Sequence, residues 1–210
     1  MEKKYSNLGF YMLLLIPLTF AGYYKSYISQ IPHFNAYIKP AHHIHATIAL
    51  LWLILLISQA LLIRYKKISL HKKIGKSSIF LFGALMLSFI PIIHVDSVII
   101  FPIADMILLL VFYSLGMTMI HRKRTAEHIR YMICLSLVFL DPTLGRVVFT
   151  ISGLMGYSTL AVHHITLGTI SVILLILIFY DRAHHRNYKP YLVALPLFTI
   201  YQILFQVLYI

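Results

Sequence analysis

The stretch "AHHIHATIALLWLILLISQA", Ala41 to Ala60, decides the fold. After His42, His43 and His45 it continues as an uncharged apolar run. About 20 mostly apolar residues cross the ~30 Å hydrocarbon layer of a bilayer as a helix, so this segment is expected to span a membrane. On a helix, His45, Trp52 and Gln59 recur at intervals that keep them on one stripe, with His42 on the same face one turn above His45. Trp and Gln are poorly placed against lipid tails, so the stripe is expected to face other helices. His43 points elsewhere and reads as an interfacial residue.

Six further stretches have the same character, giving an all-α integral membrane bundle of seven transmembrane helices in one polytopic domain, residues 1–210. The spans are expected at approximately Leu8 to Ile28, Ala41 to Ile63, Ser77 to Ile93, Val98 to Ile120, Ala126 to Ile151, Thr159 to Tyr180 and Tyr191 to Leu208. Only "HVDS" separates the third from the fourth, which requires a tight outer hairpin. The first run ends in Tyr23, Tyr24 and Lys25 without a small-x-small cleavage site, so it is expected to be retained rather than removed as a signal peptide. No internal repeat or low-complexity segment is visible.

Composition agrees. Hydrophobic residues make up 60% of the chain and charged residues 11%, against about 25% charged in a soluble domain; mean hydropathy is +0.84. Lys and Arg outnumber Asp and Glu by 18 to 6, but the excess lies in loops. Placing the N-terminus inside puts "EKK", "RYKKISLHKKIGK", "HRKRTAEHIR" and "DRAHHRNYK" on the cytoplasmic side, leaving Lys25 and Lys39 outside. This is the positive-inside pattern, and it puts the C-terminus outside. The basic surface is thereby accounted for by topology and anionic lipid, with no aromatic-basic surface for nucleic acid. Cys134 stands alone in an apolar run, which rules out an intrachain disulfide and a Cys-x-x-Cys redox pair. Ser69 and Thr125 are expected to cap the helices that follow them.

Ionisable residues inside spans are expensive and usually face a bundle interior or a water-filled cavity. Toward the outer side lie His42, His43 and His45, then His94 and Asp96, Asp105, Asp141 and Arg146, and finally His163 and His164. Asp105 and Asp141 are expected roughly 10 to 15 Å deep at ~1.5 Å of rise per residue, too deep for snorkelling. Arg146 could neutralise Asp141, and Pro142 removes a backbone donor and tends to kink the fifth span. Toward the inner side lie His71, His121, His128, His184 and His185. His121, His184 and His185 read first as solvated loop residues, whereas for His71 and His128, each in the first turn of a span, a defined role weighs about evenly against that reading.

The combination of His45, Trp52 and Gln59, then "LHKKIG" with His71 and Gly75, then "HIRYM" with His128, Tyr131 and Met132, resembles a group of uncharacterised bacterial multi-pass membrane proteins. Their pattern is a His-x6-Trp-x6-Gln helix, a Leu-His-Arg-x-x-Gly turn and a His-x-x-aromatic-Met segment; here Lys72 stands in the Arg position. The resemblance covers roughly residues 41–135. It implies a bacterial inner membrane location and a working set of His45, His71 and His128, without naming a reaction.

Three chemistries fit this layout. In a haem b redox protein, His45 with His164 or His163 would ligate an outer haem with Arg146 near its propionates, and His71 with His128 an inner one. A non-haem centre holding zinc, copper or iron would draw on His42, His45, Asp105, Asp141 and His164. A proton-coupled carrier would use Asp105, Asp141 and Arg146. A structural or accessory membrane subunit, with its histidines satisfied at interfaces, is the fourth reading. The expected partners are membrane lipids and, for the redox reading, an electron donor. The reaction class and oligomeric state are not readable from the sequence.

Overall fold

The computed structural model describes residues 5, 7–95, 98–156 and 158–209. The described residues contain no strand. The chain begins with α1 (Leu8–Leu13) and α2 (Leu15–Tyr24), two parts of one apolar segment with a turn at Leu14. There follow α3 (Pro40–Arg64), α4 (Ile68–Val95), α5 (Ile100–His121), α6 (Thr125–Met155), α7 (Thr159–Ala183) and α8 (Lys189–Tyr209). The helices α3 to α8 are each long and apolar enough to cross a membrane. Several are apolar on more than their packed side: Leu51 and Ile54 of α3, and Phe80 and Leu87 of α4, are at least half exposed. Such faces suit lipid rather than water, and the chain is a multi-pass helical membrane protein.

The first expected span is shorter than anticipated. Its α-helix stops at Tyr24 instead of Ile28 and passes into a 3-10 turn, Ile28–Gln30. Polar side chains take over the carbonyls there: Gln30 Nε2 donates to Ser26 O at 3.0 Å and Ser29 Oγ to Lys25 O at 3.4 Å. Side chains of this kind offer the backbone an alternative to helix. Asp96, expected to end the third span, lies outside the described residues.

The chain forms two compact units, residues 1–106 and 107–210. In the first, α1 packs on α3 through Met12, Leu53 and Ile57, with Leu8 and Leu61 around them. Gly9 allows the approach: a Cβ there would lie 3.0 Å from the main-chain nitrogen of Leu61. The hairpin α3/α4 is the unit's main framework. In the second, α6, α7 and α8 pack together around Leu135, Leu167, Ile170, Leu174, Phe198 and Phe205, all fully buried. Phe112 of α5 stacks on Phe198 with ring centroids 6.1 Å apart.

Two expectations about local sequence are corrected. Neither Ser69 nor Thr125 caps a helix: Ser69 lies inside α4, and the N-cap of α6 is Arg124, which makes no side-chain capping bond. The chain enters both helices from a left-handed residue instead, Lys66 (φ 59°) and Lys123 (φ 60°). One C-cap geometry recurs after α3, α5 and α7, where Lys66, Lys123 and His185 (φ 53°) are left-handed and each turn makes the same pair of main-chain bonds. Lys66 N donates to Ile63 O (3.0 Å) and Lys67 N to Leu62 O (2.8 Å), while Lys123 N donates to Ile120 O (3.0 Å) and Arg124 N to Met119 O (2.8 Å). These are paired Schellman-type bonds that satisfy the last carbonyls of the preceding helix. His71 follows Lys66 by the same interval that separates His128 from Lys123.

Candidate functional site

The expected stripe on α3 faces α4 and meets it in three rungs. At the first, His45 Nδ1 lies 2.9 Å from Ser88 Oγ, and the Phe89 ring stands edge-on at 4.6 Å between centroids. At the second, Trp52, 1% exposed, packs against Phe82 with centroids 5.3 Å apart. At the third, the main-chain carbonyl of Gln59 meets His71 Nδ1 at 3.2 Å, and its side-chain Oε1 lies over Gly75.

Hydrogen-bond chemistry fixes the tautomers of two of the three histidines in the working set. A main-chain carbonyl can only accept, so His71 carries its proton on Nδ1. His128 is held identically: its Nδ1 donates to Gly116 O at 2.9 Å, again twelve residues back. The Ser88 hydroxyl lies between Leu85 O at 2.7 Å and His45 Nδ1 at 2.9 Å, and it holds the His45 ring in either tautomer. In the neutral His71 and His128 rings the lone pair therefore resides on Nε2, the arrangement found in metal-bound histidines oriented by a carbonyl.

The other histidines differ. His42 Nδ1 accepts from Lys39 N–H at 2.9 Å and so closes the start of α3. His164 Nδ1 lies 2.9 Å from the side-chain amide of Gln202 on α8. Partial burial raises the Tyr27 phenol above its ordinary value, so it keeps its proton and donates to His43 Nδ1 at 2.5 Å. Phe34 stands edge-on to the same ring at 4.5 Å, which gives His43 the interfacial aromatic setting its position suggested. His121 and His184 turn back on carbonyls one turn earlier in their own helices and are exposed.

In the second unit, Asp141 of α6 is buried, faces the Tyr201 phenol of α8 and lies within the field of Arg146. Arg146 itself is exposed and donates to Pro142 O at 2.9 Å, one turn back. α6 continues through Pro142 as helix, and Thr143 Oγ1 takes the Phe139 carbonyl at 3.0 Å. His163 of α7 is buried against Phe205 at 3.8 Å and Tyr201 at 5.1 Å between ring centroids. His163 and His164, adjacent in sequence, have ring centroids 6.4 Å apart. Asp105 is buried in α5. Among the described residues no three His, Cys, Asp or Glu side chains gather as a group able to hold a metal ion, and this includes His42, His45, Asp105, Asp141 and His164.

The most buried charges were not among the expected residues. Arg130 of α6 and Asp181 of α7 are both fully buried, with Nε 2.6 Å from Oδ2, and Arg130 Nη1 donates to Ala126 O at 2.8 Å. Beside them Glu127 accepts from Asn187 Nδ2 at 2.7 Å and pairs with Arg124. Both Arg130 and Asp181 lie in segments that read as basic cytoplasmic loops. The available signal was Asp181 itself, a rare acid in such a segment.

No protein-family model, characterised protein or solved structure matches the chain.

Proposed function

We propose that this is a haem- or metal-binding redox protein of a bacterial cytoplasmic membrane, with His45, His71 and His128 as its ligand nitrogens. One observation carries the reading: His71 and His128 each turn Nδ1 to a main-chain carbonyl twelve residues back and so keep the lone pair on Nε2, while His45 is held by Ser88. Iron, copper and zinc take up such a nitrogen, and a bound haem supplies one-electron chemistry through its iron. The chain's own contribution is orientation. Two main-chain carbonyls and one serine fix the rings before any cofactor arrives. The resemblance noted for residues 41–135 supports the same three histidines.

The basic loops support seven crossings with the N-terminus inside and the C-terminus outside, α1 and α2 together forming the first. Electrons would then come from a donor protein or a membrane-soluble carrier. The test is a preparation in mild detergent after expression with ample haem, iron, copper and zinc. The expected result is a Soret band with reduced-minus-oxidised α and β bands, diminished in His45→Ala, His71→Ala and His128→Ala. A colourless protein with stoichiometric zinc or copper transfers the reading to a non-haem metal enzyme or metal-handling protein. Absence of every cofactor refutes both.

A proton-coupled carrier is favoured by a separate observation, the contiguous Asp141, Tyr201 and His163. It requires that vesicles containing the protein acidify through a path that Asp141→Asn closes. Vesicles with wild-type protein that stay tight to protons exclude it.

A further inference from the structure

Around the α5/α6 and α7/α8 turns of the second unit, residues 121–130 and 180–189, the chain carries seven Lys and Arg against two acids. Both acids are engaged within the contact between the turns. Asp181 faces Arg130, and both side chains are fully buried. Glu127, 8% exposed, uses one carboxylate oxygen twice: Oε1 accepts from Asn187 Nδ2 at 2.7 Å and pairs with Arg124 Nη2. Asn187 Oδ1 in turn accepts from Lys189 N at 3.1 Å. A continuous line therefore runs from Arg124 on one turn, through Glu127 and Asn187, to the first residue of α8 on the other. The cations at its two ends face outward: the Arg124 side chain is 48% exposed, and Lys189 is exposed.

Topology alone asks only for cations in such loops. It does not ask for a covered carboxylate and an amide that tie two turns together. A guanidinium has five N–H donors in a planar fork, so its pairing with Glu127 leaves capacity for a second anion on the exposed side. What lies beyond Lys189 defines the rest of the ligand. Val193, Pro196, Ile200 and Val207 follow Lys189 at intervals that keep them on one face of α8, and all are exposed. From Lys189 to Ile200 the stripe runs about 16 Å at 1.5 Å of rise per residue, close to half of the ~30 Å hydrocarbon layer. Paired cations thus stand at the head of an apolar stripe one leaflet deep.

We propose that the α5/α6 and α7/α8 turns form a binding site for an anionic phospholipid. Its phosphate takes the outward N–H groups of Arg124 and the ammonium of Lys189, and an acyl chain lies along Val193, Pro196 and Ile200. Glu127 and Asn187 are positioning residues that hold the two turns together beneath the headgroup. A soluble phosphate offers the same charge but has no use for the stripe. The site is independent of any cofactor, and a lipid seated in it joins the start of α6 to the start of α8.

The experiment titrates dioleoylphosphatidylglycerol into delipidated full-length protein in detergent micelles and counts retained lipid by native mass spectrometry, with dioleoylphosphatidylcholine and glycerol phosphate as comparisons. Phosphatidylglycerol should be retained in preference to phosphatidylcholine. Lys189→Gln leaves the Glu127 and Asn187 contacts in place, so its lipid-free thermal midpoint should match wild type while its affinity falls about fivefold, as for one cation at a membrane surface. Lys189→Arg should restore binding. Arg124→Gln combined with Lys189→Gln should lose more than either alone. Lys66→Gln combined with Lys67→Gln removes the same charge from the first unit and should stay within about twofold of wild type. An equal loss in that control pair, or phosphatidylcholine retained as firmly, overturns the site in favour of general surface charge. Displacement of the lipid by glycerol phosphate overturns the acyl-chain stripe and with it the assignment to a lipid.

Discussion

Removing Asp181 should be a strongly damaging single change where α6 meets α7. Arg130 has a fully buried side chain, and Asp181→Ala takes away the carboxylate 2.6 Å from its Nε. What remains within the same helix is the Ala126 carbonyl at 2.8 Å, a dipole rather than a charge. The nearest other acid on α6, Glu127, is already engaged by Asn187 and Arg124. Breaking a buried pair from one side costs about 3–5 kcal/mol, or roughly two to four powers of ten in the folded-to-unfolded ratio. A domain whose whole stability is about 5–15 kcal/mol loses a fifth or more of it. Replacing both partners is different in kind, because no uncompensated charge remains. Arg130→Met with Asp181→Leu should recover most of the loss, and the coupling between the two sites should be strongly non-additive. The assay is reversible unfolding in mixed micelles of increasing SDS fraction, followed by far-ultraviolet circular dichroism, on wild type, both single variants and the double. Asp181→Ala within about 1 kcal/mol of wild type, or a double variant no better than the single, would refute the reasoning.

Three further outcomes are expected. In Gly9→Val the new side chain meets Leu61, whose Cδ2 can turn aside but whose main-chain nitrogen, 3.0 Å from the added Cβ, cannot. Overpacking of this kind costs about 1–3 kcal/mol, so the thermal midpoint should fall, and an unchanged midpoint would argue against the close α1/α3 approach. Cys134 is fully buried, so a maleimide should modify native protein only after denaturation. That silence makes His33→Cys a clean reporter, expected to react with an impermeant reagent from outside intact cells; labelling confined to the cytoplasmic side would reverse the proposed orientation. Ser158 caps α7 by accepting from Ala161 N at 3.2 Å, and Ser158→Ala should cost about 1 kcal/mol, read as a small drop in unfolding midpoint.

The sequence carries what is local and periodic. Hydropathy locates α3 to α8 because lipid imposes apolarity on every exposed side chain, and the period of the helix shows that His45, Trp52 and Gln59 face inward together. The end of α2 is less legible, because the apolar run continues to Ile28 while Ser29 and Gln30 divert the backbone. Pairings between distant segments leave no periodic trace. Arg130 and Asp181 are 51 residues apart, and each sits among cations whose abundance has another explanation. The recurring C-cap escapes detection for a related reason. Its geometry depends on one left-handed residue and two main-chain bonds, while the residues around it differ. Arg146 shows what spacing does carry: five residues beyond Asp141, it acts on that carboxyl through its field, while its side chain also donates to Pro142 O on its own helix.

The Arg130–Asp181 pair also bears on how the chain is made. α3 and α4 are joined by a short turn, so their rungs can close as soon as both helices have been synthesised, at little loop-closure cost. α6 has no such freedom. Arg130 reaches the membrane before Asp181 exists, and at synthesis rates of about 5–20 residues per second the interval is roughly 3 to 10 s. A guanidinium without a counter-charge is held at the lipid headgroups during that time. On this reasoning the Arg130–Asp181 contact cannot close before α7 has been made, so the pace of synthesis past Asp181 sets the earliest moment at which α6 and α7 can pair through it.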